Sequence, residues 1–166
     1  MNVILIGMPA SGKSCMGRAL SKKLHMQLID TDRLIEDVTG RKLQDIINES
    51  GLDEFKKIEE KTLLSLSGDN MLVSTGGSAV YYDEAMKHLK KIGTVVYLYV
   101  GLDLIKKRLG DFSKRGVVLK PGQTIDDLFC ERTALYEKYA DIVINCNGNE
   151  FPKYQSSLIE ALNTRK

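Results

Sequence analysis

The sequence is short of the residues that mark a secreted, metal-centred or membrane protein. Its three cysteines, Cys15, Cys130 and Cys146, are an odd number without paired or metal-type spacing, so neither a disulfide framework nor a zinc site is indicated. The two histidines, His25 and His88, stand alone in the chain. No apolar run is long enough to span a bilayer, and the first residues read directly as a strand. No leader peptide or membrane partner is therefore expected, and the cytoplasm is the expected compartment. Excess charge of one sign is also lacking: 24 Lys and Arg face 22 Asp and Glu, a net charge of +2. That balance gives no global argument for nucleic acid. The clusters Lys87 to Lys91 and Lys106 to Arg108 read as solvated helix faces. No repeat, low-complexity tract or linker divides the 166 residues, and 43% hydrophobic with 28% charged residues fits one globular domain with a real core.

What is present is concentrated near the start. Gly7-Met8-Pro9-Ala10-Ser11-Gly12-Lys13-Ser14 matches G-x-x-x-x-G-K-[ST], the phosphate-binding loop. It follows an apolar strand, Val3 to Ile6, and precedes a helix read from Cys15 to Leu24, the context its chemistry requires. Successive backbone N–H groups in such a loop form an anion nest, and the helix adds the positive end of its dipole. Gly7 and Gly12 permit dihedrals and close approach that a Cβ obstructs. Lys13 supplies a point charge for the β- and γ-phosphates, and the Ser14 hydroxyl a ligand for Mg²⁺. A nucleoside triphosphate is the expected ligand, held by Gly7, Ala10, Ser11, Gly12, Lys13, Ser14 and Cys15. The helix N-terminus favours a reactive Cys15 thiolate, but the commoner fate of a free cysteine, packing in the core, is the expectation.

Further along, strands are expected at Met26 to Ile29, Met71 to Ser74, Thr94 to Val100 and Ile142 to Ile144. Helices are expected at Arg33 to Val38, around Leu43 to Ile47, and over Leu52 to Leu66, Asp83 to Lys91, Leu102 to Leu109, Ile125 to Tyr139 and Tyr154 to Leu162. The polar, Gly- and Pro-containing stretch about 111–122 breaks this rhythm and reads as a lid. Strands alternating with helices predict an α/β fold with a mainly parallel sheet, whose ligands gather at the C-terminal ends of the strands. Asp30, Asp32, Gly76 and Gly77 fall there. Either aspartate could simply cap the next helix. In a phosphoryl-transfer site, Asp30 would hold Mg²⁺ beside Ser14, and Asp32 would take the acceptor hydroxyl's proton. Arg115 would then close over the phosphates.

The order of motifs resembles the shikimate kinase family, among the nucleoside-monophosphate-kinase-like P-loop kinases. The likeness runs from Met1 to about Asn147. It includes the phosphate loop, Asp30-Thr31-Asp32, Phe55 to Glu59, Thr75-Gly76-Gly77, and Glu131-Arg132-Thr133-Ala134-Leu135-Tyr136 with Ala140-Asp141. The resemblance implies a P-loop NTPase-type three-layer α/β/α sandwich with a five-stranded parallel sheet, a small substrate subdomain at about 31–60 and a lid at about 111–122. It implies Mg²⁺-dependent transfer of the ATP γ-phosphate to a hydroxyl of shikimate, in aromatic amino-acid (chorismate) biosynthesis, by a monomer. Lys13, Asp32 and Arg115 would be catalytic. Asp32, Lys56, Gly76, Gly77 and Arg132 would hold the acceptor, and Arg108, with Arg115, the nucleotide.

Departures from the family pattern fall on the acceptor and lid side. Lys56 stands for an arginine, keeping the charge but losing the planar fork. Ile47 stands for an aromatic residue, Leu52 for a glutamate, Ser78 for a third glycine, and Arg115-Gly116-Val117-Val118 for Arg-Pro-Leu-Leu. Another small hydroxylated acid, such as gluconate, is therefore a rival acceptor. A nucleotide acceptor would call for more arginines. A non-catalytic nucleotide-binding module is opposed by Lys13, Ser14, Asp30 and Asp32 together. Lys56, Arg108 and Arg132 also admit the plain reading of helix-surface cations.

Overall fold

Five short segments build the sheet: β1 (Val3–Ile6), β2 (Gln27–Asp30), β3 (Met71–Ser74), β4 (Thr94–Tyr99) and β5 (Ile142–Asn145). Their order is β2-β3-β1-β4-β5, and every neighbouring pair is parallel. The computed structural model describes residues 1–111, 117–148 and 150–164. Every residue of β1 and β3 is buried, the signature of parallel strands covered on both faces. The edge strands β2 and β5 are partly exposed.

The described helices are α1 (Lys13–Lys23), α2 (Thr31–Thr39), α3 (Leu43–Ser50), α4 (Leu52–Ser65), α5 (Asp83–Ile92), α6 (Leu102–Leu109), α7 (Ile125–Tyr139) and α8 (Phe151–Asn163). A 3₁₀ turn covers Ala79–Tyr81. α1 packs on β2 and β3 and touches α8, which packs on β5, while α5 and α7 pack on β4. The result is the expected three-layer α/β/α arrangement. One large core joins sheet and helices. A second, separate cluster of Ile35, Ile46 and Phe55 lies among α2, α3 and α4, with Leu43, Ile47, Leu52 and Ile58 packed around it.

Among the boundaries that differ from expectation, two have clear local reasons. α2 begins at Thr31 rather than Arg33, because the Asp30 carboxylate caps it by accepting from the backbone N–H groups of Asp32 and Arg33 at 3.2 and 3.4 Å. α8 begins at Phe151 rather than Tyr154, since Pro152 falls in the first turn, where a missing N–H costs nothing. Among the described residues, no helix is long and apolar enough to cross a membrane.

Candidate active site

The C-terminal ends of β1, β2 and β3 open into one cleft of about 1560 Å³. Lys13, Ser14, Asp30, Asp32, Lys56, Gly76, Gly77 and Arg132 all line it, so residues far apart in the chain converge as expected. Four departures from the family pattern, Ile47, Leu52, Ser78 and the Val117-Val118 pair, line it too.

The phosphate loop supplies one wall. Gly12 caps α1 from the left-handed region at φ 96°, and Ala10 shares that region at φ 64°, a conformation uncommon for a residue with a side chain. Lys13 is buried, and its Nζ donates to the carbonyls of Gly7 and Met8 at 2.7 and 2.8 Å. Burial pulls its pKa down to about 8; Arg132 adds to the fall, while Asp32 and Asp30 oppose it. The Ser11 hydroxyl is buried without a partner among the described residues. A buried ammonium satisfied only by carbonyls, beside an orphaned hydroxyl, fits a polyanion.

Ser14 Oγ lies 3.5 Å from Asp30 Oδ2, so Asp30 is both a helix cap and a neighbour of the loop. The capping reading therefore holds for Asp30 and not for Asp32, which sits inside the first turn of α2. Asp32 is pushed up to about 6, chiefly by burial and then by the charges of Glu59 and Asp30, against the pull of Lys13.

Gly76 and Gly77 form the shelf opposite. A Cβ on Gly76 would lie 2.7 Å from Glu59 Oε1 and 2.9 Å from Asp32 Oδ1, while one on Gly77 would lie 2.9 Å from Arg132 Nη1. Side chains of the site thus press against bare backbone, which explains two consecutive glycines. The Tyr136 hydroxyl donates to Gly77 O at 2.7 Å and pins the shelf from α7.

Arg132 is not a helix-surface cation: it is 7% exposed. Its guanidinium carbon sits 5.4 Å from the centre of the Tyr81 ring, and its Nε donates to the Tyr81 hydroxyl at 3.4 Å. Among the described residues no carboxylate comes within 4.0 Å of it. Lys56, by contrast, is exposed at the cleft's edge. Arg108 reaches the loop from α6, its Nη1 donating to Ala10 O at 3.2 Å, and lines a second cavity behind it with Cys15, Cys146, Phe151 and Tyr154. Cys15 is exposed rather than packed in the core, because the first turn of α1 points it outward; Cys146 is the buried thiol. Arg115 lies outside the described residues, as do residues 112–116 of the expected lid.

Sequence reasoning gave no role to Glu59, Tyr81 or Tyr82. Glu59 is 1% exposed, and its carboxylate accepts from Ser78 Oγ at 2.8 and 2.7 Å and from the Tyr82 hydroxyl at 2.7 Å. Burial raises its pKa, while hydrogen bonds from Tyr82 and Ser78 and the charge of Arg132 hold it down. The signal was available: Phe55, Glu59 and Leu63 form an i, i+4, i+8 stripe on α4, all three buried, so a carboxylate occupies a core position.

Known proteins similar to this chain point to one family. The sequence profile described as "SKI: Shikimate kinase" matches residues 9–163. A shikimate kinase of Clostridium botulinum (strain Kyoto / Type A2) is 39% identical over 99% of this chain and 96% of its own length. One from Bacillus anthracis (strain CDC 684 / NRRL 3495) is 36% identical over 98% of each. Among solved structures, shikimate kinase from Acinetobacter baumannii in complex with shikimate aligns with a TM-score of 0.90 at 29% identity, covering 99% of this chain and 94% of that one. Shikimate kinase from Aquifex aeolicus gives 0.88 at 30% identity, covering 99% and 98%. With the profile spanning nearly the whole sequence and relatives of this identity along its full length, the chain belongs to the shikimate kinase family.

Proposed function

We propose that this chain transfers the γ-phosphoryl group of ATP to a hydroxyl of shikimate, with Mg²⁺. The observation that carries the reading is the mutual proximity of Lys13, Asp32 and Arg132. The charges of Asp32 and Arg132 both act on Lys13, and all three face one cleft. Lys13 and the loop amides hold the triphosphate. Arg132 takes the acceptor's carboxylate, with Lys56 as a second, more exposed cation at the rim. Gly76 and Gly77 let the acceptor ring lie against backbone. The acceptor hydroxyl oxygen bonds to the γ-phosphorus as the bond to the ADP oxygen breaks, and Asp32 receives the hydroxyl proton. Arg108 lies against the nucleobase in the cavity behind the loop, beside Cys15, and Arg115 closes over the phosphates from the lid.

Ser14 and Asp30 present hard oxygen donors 3.5 Å apart at the edge of the loop, a pairing suited to an ion that keeps most of its waters and binds substrate phosphates. Ser14 and Asp30 would hold Mg²⁺ there, and the ion would supply neutralisation of charge on the phosphate oxygens. The subdomain at about 31–60 carries its own hydrophobic cluster, which supports treating it as the acceptor-binding unit beneath a lid at about 111–122. The reading is completed by a monomer acting on small molecules in the cytoplasm, without nucleic acid.

A coupled ADP-release assay with Mg-ATP across shikimate, quinate, gluconate, homoserine and nucleoside monophosphates tests the reading. Shikimate should give the highest kcat/KM; faster turnover of another acid reassigns the acceptor, and indifference to every alcohol removes the kinase reading.

A further inference from the structure

Two buried, oppositely charged groups lie in this cleft without pairing. Glu59 Oε1 approaches the site of a Gly76 Cβ at 2.7 Å, and Arg132 Nη1 approaches that of the next residue, Gly77, at 2.9 Å. The charge of Arg132 acts on Glu59. Both are more than nine-tenths buried, where a bidentate Arg–carboxylate pair is the usual outcome because each ion otherwise keeps its desolvation cost. Yet both Glu59 oxygens are occupied by hydroxyls instead, Ser78 Oγ reaching both and Tyr82 holding Oε2. Arg132 meets the Tyr81 hydroxyl and ring, and no carboxylate among the described residues.

We propose that Ser78 and Tyr82 are positioning residues that clasp Glu59 away from Arg132, so that the guanidinium stays free for the acceptor's carboxylate. The two hydroxyls come from either end of the 3₁₀ turn Ala79–Tyr81, directly after the glycine shelf, so the clasp is as rigid as that turn. Without it, Glu59 is an internal competitor: its carboxylate sits in the same cleft as Arg132 and offers the same chemistry as the substrate's. The clasp rests on the reading that Arg132 binds the acceptor carboxylate.

The test is steady-state kinetics on the full chain, varying shikimate and ATP separately. In the variant carrying Ser78→Ala and Tyr82→Phe, KM for shikimate should rise about tenfold or more, the scale of losing one buried charge-assisted contact, while KM for ATP stays put. Adding Glu59→Gln removes the competitor's charge and should recover most of that loss. A structural role alone would not be rescued by a third substitution in the same region. If the double variant fails to fold, as read by circular dichroism, Ser78→Ala alone should give a smaller rise of the same kind, and Ser78→Thr should keep the wild-type value. Unchanged KM in the clasp variants, or a rise that Glu59→Gln leaves in place, overturns the proposal. Arg132→Met separates the two readings. If it leaves KM for shikimate unaltered, the acceptor assignment of Arg132 falls and takes the clasp with it. If it raises KM while the clasp variants do not, only the clasp falls.

Discussion

At the scale of single residues, the site is built from groups kept in states that cost the fold something. Asp32 has its pKa raised from an ordinary 3.8 to about 6, so ionising it in the folded, ligand-free protein is unfavourable. The sign follows: the cost is absent below pH 4, grows as pH rises toward 6 and is complete above it. Asp32→Asn should therefore raise the thermal stability of the ligand-free protein at pH 8, by on the order of 2–3 kcal/mol, with no gain at pH 4. The same variant should lose turnover far more than nucleotide affinity, because the proposed proton acceptor is gone while Lys13 and the loop remain. Wild-type kcat/KM should fall as pH drops through about 6. Equal losses of turnover and ATP binding would count against Asp32 as the base. Gly76→Ala tests the shelf. A Cβ there meets the Glu59 and Asp32 carboxylates at 2.7 and 2.9 Å, so both must shift, and kcat should drop at least about tenfold with ATP affinity retained.

At the scale of elements, strand and helix positions were legible because parallel strands buried on both faces leave plain apolar runs and helices leave a 3.6-residue stripe. Met71–Ser74, Leu102–Leu109 and Ile125–Tyr139 fall where the pattern places them. The start of α2 did not, since an aspartate that caps a helix and one that lines a cleft look alike in sequence; only the hydrogen bonds from Asp32 N and Arg33 N to Asp30 separate them. The core position of Glu59 was legible in its stripe on α4, but its partners were not. Its partners Ser78 and Tyr82 arrive from 19 and 23 positions away, and no local pattern announces that pairing. The exposure of Cys15 was a matter of which way one helical turn faces. The cluster of Ile35, Ile46 and Phe55 gives an element-level prediction, because it is separate from the main core. Ile46→Ala should cost about 2–4 kcal/mol where it is felt and raise KM for the acceptor, leaving KM for ATP near wild type. Differential hydrogen exchange should show the loosening confined to α2, α3 and α4.

At the scale of the whole molecule, the sheet is tied together at the end remote from the cleft by one small side chain. Asn2 is 2% exposed; its Nδ2 donates to Gly68 O and Ile92 O at 2.7 and 3.0 Å, and its Oδ1 accepts from Met71 N at 2.9 Å. Asn2→Ala removes three hydrogen bonds, one of them to the buried N–H of Met71, and should lower stability by about 2–4 kcal/mol, read by urea unfolding, with both KM values unchanged. A shift in KM would mean that the two ends of the sheet are coupled.

β1 occupies the middle of the sheet, flanked by β3 and β4. Its Asn2 anchors lie 66 and 90 positions downstream. On a ribosome adding roughly 5–20 residues per second, the strand that carries the nucleotide loop waits about 5–20 seconds before its second neighbour has been made. Throughout that interval Val3-Ile4-Leu5-Ile6 lacks at least one of its two sheet neighbours in the nascent chain, and a holdase that covers it should improve yield more than one that acts after release.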